Sequence, residues 1–262
     1  MNKIRILSVA LLFLYPSVAL AGIIHVPGDQ PTIQAGINAA SNGDIVLVAD
    51  GTYTGTGNRD IDFLGKAITV RSENGADFCI IDCQGSDSDP HRAFYFHNGE
   101  GENSIVEGYT MQNGYVSSNA ATREKGGAIL CDAASPTIIN NIITENFSDW
   151  GGGGIACDGV SSPLIIGNTL TRNQGKTGGG AIRCDFSSPV ISGNIIRENI
   201  SGEDYSMYSE GHGGGIYIDF WSHPTITNNI IEGNSTREVP SHSIPRGGGI
   251  YCMGSAFIAS NT

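Results

Sequence analysis

The chain has 262 residues, of which only 15% are charged while 37 are glycine, a composition that fits neither a helical protein nor a disordered one. Its 26 Asp and Glu against 14 Lys and Arg give a net charge of −12 at neutral pH, the wrong sign for gripping nucleic-acid phosphates. An acidic surface of this kind confers solubility and is compatible with divalent cations or neutral glycans.

The N-terminus carries Lys3 and Arg5, then the apolar run Ile6 to Tyr15, then Ala19-Leu20-Ala21, which has the small-x-small form of a signal-peptidase site. Residues 1–21 are therefore expected to be a signal peptide, leaving 22–262 as an exported chain, secreted or held at the cell surface. Without Lys3 and Arg5, 14 − 2 = 12 basic residues stand against 26 acidic ones, 12 − 26 = −14. The apolar run is too short for a membrane span, and no transmembrane segment is expected further on.

Residues 22–114 read as a cap followed by irregular coils. Gln30 to Ser41 has helical spacing, with Ile33, Ile37 and Ala40 on one face. Short apolar strands are predicted at Ile45–Val48, Ile68–Val70, Phe78–Ile81 and Ala93–Phe96. A solenoid needs its open end covered, and the helix is the expected N-terminal cap.

From residue 126 the chain repeats. GGAILCDAASPTIINNIITEN (126–146) is followed by GGGIACDGVSSPLIIGNTLTRN (152–173), GGGAIRCDFSSPVISGNIIREN (178–199) and GGGIYIDFWSHPTITNNIIEGN (213–234). A last copy begins at 247 and stops inside its coil, so further C-terminal repeats or a surface-anchoring domain are expected. The pairs Ile129/Cys131, Ile155/Cys157, Ile182/Cys184, Ile216/Ile218 and Ile250/Cys252 have the two-residue period of a strand with one buried face. Second and third strands carry Ile138, Ile165, Ile191, Ile226 and Ile143, Leu170, Ile196, Ile231, which predicts a coil of three faces. Asn140, Gly167, Gly193 and Asn228 between them are the residue types that accept positive φ, marking a turn.

Each turn is followed by Asn141, Asn168, Asn194 or Asn229, and each third strand closes on Asn146, Asn173, Asn199 or Asn234. Stacked at the strand spacing of about 4.8 Å, such amides form hydrogen-bonded ladders. Inward ladder positions cannot carry glycans, which discounts the sequons at Asn146, Asn199 and Asn234. The fold class is all-β, a right-handed parallel β-helix with an N-terminal capping helix. The stretch 26–53 with GKAITVRSENG (65–75) resembles the capping region of pectin-lyase-like β-helix proteins. The GG[GA]I units resemble right-handed β-helix repeats and, more loosely, those of polymorphic outer-membrane adhesins.

That resemblance implies a fold that hosts lyases, hydrolases, esterases, epimerases and non-catalytic adhesins, and so no single activity. The NTD, DD and HG segments of polygalacturonase relatives are absent, and no catalytic residue is assigned. Asp132, Asp158, Asp185 and Asp219 hold one position in four successive coils, with neighbours about 5 Å apart. Repulsion there is relieved by a bridging cation, by raised pKa values, or by splaying to cap the following turn. The four are thus candidate calcium ligands of a pectate-lyase-like site, with turn capping as the other reading and Arg183 the only base seen near the row. Insertions beginning at Tyr115, Phe147, Gln174, Ile200 and Ser235 precede each glycine run and emerge along one corner. Their Trp150, Tyr205, Tyr208 and His212 are candidate ligand-binding residues for an extended extracellular polysaccharide. His25, His91, His97 and His223 have no companions at metal-ligand spacing.

Cys131, Cys157, Cys184 and Cys252 share the inward column. Adjacent coils lie within disulfide reach, but parallel side chains and the substitution of Ile218 favour buried thiols. The expected function is polysaccharide binding without catalysis. A calcium-dependent polysaccharide lyase and a structural stalk of a larger adhesin are the alternatives.

Overall fold

The computed structural model describes residues 21–117, 124–202, 211–237 and 246–262. The signal-peptide expectation, with Tyr205 and Tyr208, lies outside these.

Every repeat predicted from the glycine runs is one coil of a solenoid, and every pairing between named strands of neighbouring coils is parallel. The repeats place Ile129 against Ile155, Ile155 against Ile182, Ile182 against Ile216, and Ile216 against Ile250. In the same strands Cys131, Cys157, Cys184, Ile218 and Cys252 align, with Phe96 beneath them. Both columns are fully buried from Phe94 and Phe96 up to Ile216 and Ile218. All six cysteines are free thiols. Burial first, then the charge of Glu100, pushes the Cys131 thiol far above its ordinary range, so the column behaves as apolar filling.

The coil has four sheets among the described residues, of nine, seven, six and five strands. Three were foreseen. The fourth is built from the two-residue strands Tyr115–Val116, Phe147–Ser148, Gln174–Gly175, Ile200–Ser201 and Ser235–Thr236. Two residues carry no periodicity, and their mixed composition reads as loop, so the insertions begin one strand later than the sequence suggests.

Both Asn columns form the predicted ladders. Asn141, Asn168 and Asn194 each donate from Nδ2 to the Oδ1 of the next Asn up, at 3.1, 3.1 and 2.9 Å, and Asn229 to Asn261 at 2.9 Å. The second column does the same from Asn146 to Asn234. The residue before each Asn of the first ladder is left-handed as predicted, with φ of 57°, 64°, 66° and 58° at Asn140, Gly167, Gly193 and Asn228. Glu145, Arg172 and Glu198 repeat that conformation before the second ladder, although their side chains give no hint of it.

The cap is a helix over Ile33–Ala39, shorter than Gln30–Ser41 because Thr32 serves as N-cap, accepting from Ala35 N at 3.2 Å, and Ala40 is already extended. Lys66 Nζ donates to the carbonyls of Ile37, Asn38 and Ala40 at the far end. A Cβ on Gly36 would lie 2.7 Å from Val46 Cγ1, so the missing side chain lets the helix seat on the first coil. Among the described residues no helix is long and apolar enough to cross a membrane.

Candidate functional site

On the six-stranded sheet the residues between the two buried columns must point outward. They are Tyr95, Leu130, Ala156, Arg183, Tyr217 and Tyr251, aligned in register along the solenoid axis. Arg183 lies over the Tyr217 ring at 4.6 Å, and Tyr217 and Tyr251 have centroids 5.8 Å apart. His212, from the preceding corner, packs its ring on Tyr251 at 4.5 Å beside this face and is itself buried.

The Asp row borders the same face. Asp219 caps its turn, accepting from Trp221 N at 3.1 Å and Ser222 Oγ at 2.6 Å, and also from Phe186 N in the coil below at 3.3 Å. Asp158 and Asp185 are bridged by a cation, but by one of the chain's own: Lys125 Nζ is 2.7 Å from Asp158 and 2.5 Å from Asp185. Arg183 Nε adds a contact to Asp185 at 2.8 Å, so Arg183 is not the only base at the row. Lys125 escaped the sequence reading because it belongs to the segment ahead of the first glycine run and reaches two coils onward. Ala156, in register with Leu130 and Arg183, is small and fully buried, so the outer face is covered at this coil. Burial drives the Asp185 carboxyl up, but Arg183 and then Lys125 outweigh it and hold it below the ordinary range. Asp132 stands at the end of the row, its carboxylate close enough to Gly159 that a Cβ there would lie 2.5 Å from Oδ1.

Lys125, Trp150, Arg183, Asp185, Phe186, Tyr217 and Asp219 enclose a cleft of about 240 Å³. Trp150 and two of the four Asp are thereby brought together. Phe186 and Trp221 extend the cleft outward, 54% and 68% exposed, with rings only 12° from coplanar and 6.2 Å apart. Neither lies in the corner insertions that carry the sequence candidates. The available signal was a large aromatic three residues before Pro189 and before Pro224, where the neighbouring coils place Ala133 and Val160.

Lys125→Met is expected to cost about 2 kcal/mol at pH 7, less than a fully buried pair because Asp158 is 31% exposed. In the native chain the depressed Asp185 contributes stability that is present above the unfolded carboxylate pKa and is lost as pH falls through the lower folded value. In the variant part of that depression is lost and the folded pKa rises toward the unfolded one, so the loss should shrink as pH falls from 7 to 3, through the unfolded carboxylate range. Urea midpoints at both pH values test this. An equal loss at each would assign the effect to the lysine's packed stem instead.

Stacked parallel coils, two Asn ladders and a helical cap define a solenoid of the right-handed parallel β-helix class. The right-handed β-helix region family matches residues 34–262, and the chain belongs to it. Comparison with curated proteins and with solved structures yields no match.

Proposed function

We propose that the outer face of the six-stranded sheet binds an extended extracellular polysaccharide without cleaving it. The observation that carries this reading is the cleft itself: Trp150, Tyr217 and Phe186 line it with paired charged groups on a rigid scaffold, and Trp221 stacks on Phe186 at its edge. Sugar rings present apolar faces and hydroxyl edges, and such a mixture of flat rings and fixed donors and acceptors suits both. The axis-parallel row from Arg183 to Tyr251 gives a linear polymer a track across several coils. Export through a signal peptide at 1–21 would place this face outside the cell.

A calcium-dependent lyase would need the Asp row to exchange Lys125 for a metal ion and a neutral base to take a proton. Lys125 and Arg183 are both engaged in ion pairs here, which favours binding over catalysis.

The test is affinity electrophoresis in gels containing soluble polysaccharides, with the wild type against Phe186→Ala/Trp221→Ala and against Trp150→Ala. Each stacked ring should contribute about 1 kcal/mol, roughly fivefold in Kd. Unchanged retention in a double variant with wild-type circular dichroism would remove this face from consideration. A rise in absorbance at 235 nm on polyuronate with calcium would replace binding by lyase activity.

A further inference from the structure

The charge balance of the cleft discriminates among polymers. Both of its cations are committed: Lys125 Nζ sits between Asp158 and Asp185, and Arg183 Nε holds Asp185 while its guanidinium lies over Tyr217. Their side chains are only 14% and 12% exposed, so neither offers an open positive face to a ligand. Asp219 takes its hydrogen bonds from backbone N–H groups and the Ser222 hydroxyl, which leave its charge in place. Within the cleft Asp185 and Asp219 balance Lys125 and Arg183, and Asp158 and Asp132 farther along the row add two negative charges, on a chain whose overall charge is −12. A polyuronate or sulfated polymer would bring a negative charge on each repeating unit against that field. A neutral polyol meets no such opposition, and carboxylates and cations locked in pairs hold acceptors and donors for its hydroxyls in fixed positions.

We infer that the ligand of this cleft is an uncharged polysaccharide, whose ring faces lie on Phe186 and Trp221 and whose hydroxyls meet Asp219 and the Lys125–Asp185–Arg183 group. This rests on the polysaccharide-binding reading above.

The experiment is affinity electrophoresis of the protein against two panels at low and at high salt: neutral β-glucan, xylan and mannan, and anionic polygalacturonate and alginate. The expected result is retention by at least one neutral polymer that changes less than twofold between about 20 and 200 mM salt, with no retention by the polyuronates. Retention by a polyuronate in preference, weakening as salt rises and lost in Phe186→Ala/Trp221→Ala, would overturn the uncharged ligand while leaving the binding face intact. Passage through every polymer of both panels would overturn the binding reading and this inference with it.

Discussion

Asn173→Asp should destabilise the solenoid by about 4 kcal/mol at pH 7, although the two side chains have the same shape. Asn173 is fully buried, and its Nδ2 donates to Asn199 Oδ1 at 3.0 Å and to Ile143 O at 2.8 Å. Its Oδ1 accepts from Asn146 N at 3.1 Å and from Asn146 Nδ2 at 2.9 Å. An aspartate keeps the accepting half and turns the donating half into an oxygen facing two acceptors. Each lost donor leaves a buried group unsatisfied at about 1–3 kcal/mol, and the carboxylate adds a desolvation cost that favours its protonated form. The folded pKa is therefore raised above the unfolded one, so the variant should gain stability as pH falls from 7 to 5. Asn261→Asp is the internal comparison: the same donors reach Ile226 O and Ala259 O at 2.9 and 3.0 Å, but the position is only partly buried and water can replace them. A loss there near 1 kcal/mol is expected. Urea unfolding of both variants decides the matter, and equal losses would mean that ladder burial contributes nothing.

The ladders were legible because an inward Asn after a turn residue has few other uses, and because the repeat supplied four copies of each. The first-sheet columns were legible for the same reason: Ile and Cys alternate with outward residues of every type, so period two stands out from Ile129 to Cys252. Ile45–Val48 emerged with its observed bounds from four consecutive apolar residues. What stayed hidden depends on conformation without a residue signature. Glu145, Arg172 and Glu198 adopt positive φ because the coil must bend before the second ladder, although acidic and basic side chains have no preference for it.

The candidate site was legible in part. Trp150, read as part of a corner insertion, lines the cleft beside the sheet, and the regular spacing of Asp132, Asp158, Asp185 and Asp219 raised the question of how their charge is relieved. The answer lay in Lys125, which acts across coils and so leaves no local pattern. Phe186 was overlooked since a left-handed turn with φ of 48° is where sequence reasoning expects glycine or asparagine, as Gly159 in the coil before illustrates, and Trp221 stacks on it from the next coil. An exposed aromatic at such a position is the kind of local inconsistency that attends function.

Gly153→Ala should cost at least about 3 kcal/mol and open the cleft as well. The middle glycines of the runs stack along one corner, and there the constraint is distance. A Cβ on Gly153 would lie 2.4 Å from Gln174 O and 2.5 Å from Gly180 O. Both obstacles are backbone atoms held by the next coil, so relief requires the coils to separate, and overpacking without an escape route exceeds the usual 1–3 kcal/mol. Gly75→Ala provides the contrast: φ is 97°, yet nothing lies within 4 Å of the added methyl group, and a cost of about 1 kcal/mol from backbone conformation alone is expected. Because stability in a solenoid passes from neighbour to neighbour, the damage should centre on the coils flanking 153. Hydrogen exchange would then show lost protection at Ile155–Asp158 and Ile182–Cys184 while the helix Ile33–Ala39 stays protected. Those two strands carry Asp158 and Arg183, and the corner beside them carries Trp150, so on the proposed binding role polysaccharide retention should fall with protection. If Gly153→Ala and Gly75→Ala cost the same, the glycine column reflects backbone preference alone, and the close approach that holds Trp150 and Lys125 over the sheet must have another cause.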